Sequence, residues 1–186
     1  MPSTADGIVY PASSDNANLW EHFQNMADSI QVALDAIQAS QPTLVIKGVT
    51  EAVSSTTLQN DEELFCTLRA GMKYRVMLIA SVTGTDDFKA NWTFSGTLNT
   101  STKNSLGPAA SIASAGDTTV AMQPHAITTQ HVYGCLAGAV WVLEELYLDV
   151  ATDGVLQFQW AANGSAVSTS VLAASRLYVQ PMTLAV

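Results

Sequence analysis

At Pro42 the hydrophobic period of the chain changes, and no single element can span such a change. Upstream, Leu19, Phe23, Met26, Ile30, Ala33 and Ile37 follow one another at spacings of 4, 3, 4, 3 and 4. That pattern lays one apolar face along a helix. It is also an a/d heptad seam, with Phe23, Ile30 and Ile37 at a and Leu19, Met26 and Ala33 at d. Trp20, Ala27 and Leu34 widen the stripe. Asp15 or Asn18 can accept from the first-turn amides, and Glu21, three residues after Asn18, completes an arrangement like a capping box. Gln41-Pro42 ends the segment, because proline disfavours helical geometry in the residue before it. The spacing therefore predicts an amphipathic helix within residues 15–41, ending near residue 39. A helix packed on its own domain needs the same pattern as one paired with copies of itself, so the six seam residues form a candidate oligomer interface.

Downstream the period falls to two, and residues 43–186 read as an antiparallel β-sandwich, jelly-roll-like, of roughly eight strands. Leu44-Val45-Ile46 opens it. Leu64, Cys66 and Leu68 alternate with Phe65, Thr67 and Arg69, and Ala70-Gly71 turns the chain toward Tyr74, Val76, Leu78 and Ala80, a pattern that suggests a hairpin. Phe88, Ala90, Trp92 and Phe94 mark another strand, and residues 97–117, rich in Ser, Thr, Asn, Ala and Gly, read as a long surface loop. A strand near Thr118–Met122 follows. Ala139–Val150 is apolar in both alternating sets, which suggests a strand covered on both faces, whereas Val155–Trp160 has one polar side. Ser170–Val179 completes the set. Residues 1–14 lack periodicity and carry Ile8, Val9 and Tyr10 between prolines, so they are expected to be an extended anchor peptide that docks on another protein.

Composition narrows the function classes. Apolar residues make up 48% of the 186 residues and charged residues 12%, about half the usual charged share of roughly 25%. A lone monomer covers its surface poorly with so few charges, which favours burial against other subunits. The net charge of −9, with seven scattered basic residues, offers no basic face for nucleic acid. The apolar run Cys135–Leu143 is too short to cross a bilayer, so no membrane partner is expected. No signal-peptide pattern opens the chain, which is consistent with synthesis in a host cytoplasm. Cys66 and Cys135 each lie in an apolar run and read as buried free thiols rather than as a disulfide or metal pair.

Chemistry is hard to find in the chain. It has no phosphate-cradling glycine loop, no nucleophile elbow and no HExxH, and neither a metal nor a cofactor is expected. Among the acidic pairs, Asp61-Glu62-Glu63 reads as a polar bend and Asp86-Asp87 as a turn. Glu144-Glu145 is different, because strand neighbours point to opposite faces and one carboxylate must then enter an apolar environment. Such a group could act as an acid in glycan hydrolysis or simply pair with Arg69, Arg75 or Arg176. The structural role is the expectation. Trp92, Trp141, Tyr147, Phe158 and Trp160 sit at core spacing, although an exposed aromatic face could bind sugar.

Pro11, Ser14-Asp15, Trp20 and the helix through Ile37 resemble the attachment segment and helix of small fibre-like virion proteins. Thr57-Leu58-Gln59-Asn60-Asp61-Glu62-Glu63-Leu64, Tyr74-Arg75-Val76, Asp87–Thr93, Leu156–Ala161 and Ser175-Arg176-Leu177 resemble a β-rich module of structural proteins from tailed phages of Actinobacteria. Together the two parts span nearly the whole chain, in pattern and order. The resemblance implies a minor tail, fibre or capsid-decorating protein located in the virion. It also implies a homotrimer docked on other virion proteins, with no catalytic motif to carry over. A tip module that binds a receptor or a host cell-surface glycan is the alternative.

Overall fold

The computed structural model describes residues 19–110, 119–164 and 168–182. The chain divides into two compact units at Gln41/Pro42. The first contains helix α1 (Leu19–Ser40). Ser40 Oγ donates to the Ile37 carbonyl at 2.7 Å and the Gln41 N–H to the Gln38 carbonyl at 3.2 Å, so carbonyls left over in the last turn are satisfied just before Pro42. Asp15, Asn18 and the proposed anchor residues Ile8, Val9 and Tyr10 lie outside the described residues.

In the second unit the described residues form twelve antiparallel strands. They are β1 (Thr43–Ile46), β2 (Glu51–Val53), β3 (Gln59–Leu68), β4 (Lys73–Gly84), β5 (Phe88–Phe94), β6 (Leu98–Pro108), β7 (Val120–His125), β8 (His131–Tyr133), β9 (Val140–Val150), β10 (Gly154–Ala162), β11 (Thr169–Val171) and β12 (Arg176–Met182). The larger sheet runs β1-β12-β4-β9-β6-β7, with β11 also paired to β4 and β2 paired to β11; the smaller runs β3-β10-β5-β8. Two antiparallel sheets pack as a sandwich, as the period-two pattern predicts. Tyr74, Val76, Leu78 and Ala80 of β4 and Val142, Leu146 and Leu148 of β9 are buried. So are Phe88, Ala90 and Trp92 of β5 and Leu156, Phe158 and Trp160 of β10. Trp92 and Phe158 are cross-strand partners with ring centroids 5.1 Å apart, and Phe88 lies 6.0 Å from Trp160. Such tilted contacts add to simple burial. Both cysteines are free and buried, and burial pushes each thiol up to about 12, which makes them packing groups rather than nucleophiles.

Several sequence expectations need correction. The described residues form twelve strands rather than roughly eight. Most of the expected loop 97–117 is β6, an eleven-residue strand paired on both sides. Its inward positions are Lys103, Ser105 and Gly107, small or polar because they face a buried carboxylate and a ring rather than aliphatic core. The expected hairpin across Ala70-Gly71 is instead a crossover between sheets, because β3 pairs with β10 while β4 pairs with β9, β11 and β12. Gly71 makes the turn in the left-handed region at φ 75° and donates to the Val150 carbonyl. The strand expected near Thr118–Met122 runs on through Gln123-Pro124-His125 as β7, whose edge position tolerates proline. Asp61-Glu62-Glu63 belongs to β3 rather than to a bend. The last segment breaks into β11 and β12 around Ala174, which has φ 68°. Finally, β9 is not covered on both faces, since Trp141 is 56% and Tyr147 38% exposed. Those two aromatics are therefore surface residues, unlike Trp92, Phe158 and Trp160.

The sandwich closes tightly where β5 and β10 meet their flanking turns. A Cβ on Gly154 would lie 2.4 Å from the Gly96 nitrogen and 2.8 Å from the Phe94 ring. Gly154→Ala is expected to destabilise the protein by about 1–3 kcal/mol through this overpacking. Gly138→Ala, where an added Cβ meets nothing within 4 Å, should change stability by less than about 1 kcal/mol. Urea denaturation of the two variants checks the contrast.

Candidate functional site

The helix seam is the first candidate, and the structure leaves it open. Phe23 is 60%, Ile30 53% and Ile37 56% exposed, Met26 and Ala33 are also exposed, and Leu19 opens the helix. Half-bare apolar side chains at a and d positions present a docking stripe. No cation lies in α1, whose charged residues are Glu21, Asp28 and Asp35. Gln31 Nε2 donates to Asp35 Oδ1 at 2.8 Å, one turn away.

The second candidate is the Glu144-Glu145 pair, which the strand splits as its geometry requires. Glu145 points outward and pairs with Arg75 at 2.5 Å. Glu144 points inward and is fully buried. Four donors converge on it from both sheets. Trp92 Nε1 donates to Oε2 at 2.5 Å, while Tyr133 Oη and Ser105 Oγ donate to Oε1 at 2.8 and 3.2 Å. The ammonium of Lys103, itself fully buried, lies 3.5 Å away and donates to the Thr129 carbonyl at 2.8 Å. Burial lowers the Lys103 pKa, an effect that Glu144 opposes by attraction. Burial also pushes the Tyr133 hydroxyl up, so it stays a donor. With both oxygens occupied and no exposed surface, Glu144 acts here as a tie between sheets rather than an acid facing a substrate.

A second buried cation is Lys47. Its Nζ lies 3.0 Å from Glu51 and from Asp61 and 3.6 Å from Glu63. Burial works against the ammonium, but hydrogen bonds and attraction from Glu51 and Asp61 outweigh it, and the Lys47 pKa lies above the usual value. Asp61 also accepts from Trp160 Nε1 at 3.1 Å and from the Leu64 N–H at 2.8 Å, while Glu63 accepts from the Gly48 and Val49 amides. The arrangement ties β1 to β3. A single lysine followed by spaced acids gives no periodic signal, so only the folded chain reveals it.

The His125 and His131 rings meet at a tilt of 49° with centroids 4.9 Å apart, and neither Nε2 is hydrogen-bonded. Burial first, then the neighbouring His125 and Lys103, lower the His131 pKa, with Glu144 opposing them. Among the described residues no group of three or more His, Cys, Asp or Glu is placed to hold a metal, and no helix is long and apolar enough to cross a membrane.

Two outcomes follow from these contacts. Glu144→Ala strands Lys103 and three further donors in the core and is expected to cost about 3–5 kcal/mol. Glu145→Ala removes only a partly exposed pair and should cost no more than about 1 kcal/mol. Paired denaturation curves measure the difference. Because His131 has a depressed folded pKa, the unfolded chain binds its proton first. Stability should therefore decline as pH falls below about 6.5, and His131→Phe should flatten that decline when denaturation midpoints at pH 7.5 and 5.5 are compared. Comparison of the chain with family models, curated proteins and solved structures finds no match.

Proposed function

We propose that the chain is a non-enzymatic, self-associating structural component of a phage particle, a minor tail, fibre or head-decorating protein. In this reading it is a homotrimer, docked on other virion proteins through residues 1–14. The observation that carries the self-association is the open seam of α1, with Phe23, Ile30 and Ile37 all more than half exposed. Burying each such side chain stabilises an assembly by about 1.5–3 kcal/mol before the entropy of association is subtracted. Ile at two a positions is compatible with three strands, while the mixed d layer of Leu19, Met26 and Ala33 is indecisive, so the trimer rests on the family resemblance. The structural role of Glu144 and the low overall charge support a scaffold rather than a catalyst. The virion assignment rests on the resemblance in residues 11–37 and 57–177.

Analytical ultracentrifugation of the full chain at micromolar concentration tests the assembly, and a trimer is expected. Ile30→Asp should bring three carboxylates near one axis and weaken association at least tenfold, leaving the melting temperature of the β unit nearly unchanged. A wild-type monomer overturns the reading. Mass spectrometry of purified particles tests the location, and absence of the chain from them overturns the virion role.

A further inference from the structure

The two outer faces of the sandwich are dressed differently. On the smaller sheet the outward positions carry Asn60, Gln159 and Asn91, linked side chain to side chain at 2.8 and 3.3 Å, with Thr67, Thr93 and Gln157 nearby. That face is mainly polar, with Phe65 and Val155 as exposed apolar residues among those described. On the larger sheet one outward row runs unbroken across six strands: Ile46, Arg176, Ile79, Leu143, Leu106 and Met122 are successive partners. Leu44, Tyr178 and Met77 form the start of the next row, and Trp141 stands on its other side. Ile46 is 58%, Trp141 56% and Met122 77% exposed. The face dips beside Met77, Tyr178 and Arg75 into an open depression.

We infer that this outer face of the larger sheet is buried against a second copy of the chain. The inference rests on the self-association proposed above and assigns it a place on the β unit. Charge argues for a like partner. The chain as a whole carries −9, yet the face carries Lys73, Arg75 and Arg176 against Glu145 and Asp149, a net of three minus two, or +1. Lys73 is paired with Asp149 and Arg75 with Glu145 within the face. Two strongly acidic molecules therefore meet with least repulsion here.

Size argues in the same direction. Five interstrand gaps of about 4.8 Å make the row about 24 Å long, and three rows make the band roughly 20 Å wide, so the patch is roughly 500 Å². The stripe of α1, about 33 Å by 10 Å, adds roughly 300 Å². Together they approach the roughly 800 Å² per partner of a stable interface, which neither reaches alone.

Hydroxyl-radical footprinting of the full-length assembly, with Leu143→Lys and Phe65→Lys variants in ultracentrifugation, tests the assignment. Met122 and Trp141 should be protected at least fivefold relative to the diluted, dissociated chain, while Phe65 on the other sheet keeps its reactivity. Leu143→Lys should weaken association at least tenfold and Phe65→Lys should leave it unchanged. An assembled wild type in which Met122 and Trp141 remain fully reactive overturns the inference, leaves self-association standing, and gives the face to a different partner. A wild type that stays monomeric overturns both. Should Leu143→Lys fail to fold by circular dichroism, the wild-type footprint alone decides.

Discussion

A carboxylate in the middle of an apolar sandwich needs donors on every side, and Glu144 draws four of them from three strands. Trp92 of β5 and Tyr133 of β8 reach it from the smaller sheet, Ser105 and Lys103 of β6 from its own. Replacing such a pair with apolar groups of the same shape is often neutral or even stabilising, so its worth is not chiefly energetic. Its effect is on register. A slip of β9 by one residue would turn Glu144 out to solvent and bring Glu145 inward, away from Arg75. Every neighbouring strand is then out of step, because β9 pairs with both β4 and β6.

The inward polar residues of β6 follow from the same constraint. Lys103 and Ser105 are in a strand because Glu144 requires them, and Gly107 is small because the Tyr133 ring lies 2.7 Å from where its Cβ would stand. Lys103 then holds the Thr129 carbonyl and with it the β7–β8 connection, which sets His131 beside Tyr133. One buried charge thus organises an edge of the sandwich that has little aliphatic packing of its own.

How far the sequence revealed this depends on what kind of signal each element carries. Apolar alternation disclosed β4, β5, β9 and β10, and the 3-4 spacing disclosed α1, because burial imposes period directly on residue type. It failed at β6, where inward positions are lysine, serine and glycine, and the composition imitates a loop. It misled at β3 and β4, since two alternating runs around a glycine look alike whether they share a sheet or cross between sheets. The split fate of Glu144 and Glu145 was legible from strand geometry, and so was the seam of Phe23, Met26, Ile30 and Ile37. The Lys47 cluster and the openness of Trp141 were not, because pairing across distant strands and the absence of a covering layer leave no local trace.

The Lys47 cluster also bears on how the β unit would respond to being pulled. Tension travelling along the chain from α1 enters the unit at Thr43, the first residue of β1. That strand has four rungs against β12 and lies at an open edge, so it would peel one pair at a time rather than resist as a block. At the far end of the ladder stands Lys47, buried, anchored to carboxylates at positions 51, 61 and 63 and tied by its backbone to Ala174 and Ser175. Peeling must stop there until three ion pairs and two backbone hydrogen bonds give way together. The first strand is thus a yielding lead and the lysine its stop, so a mechanical load would lengthen the connection to the helix before it reached the core.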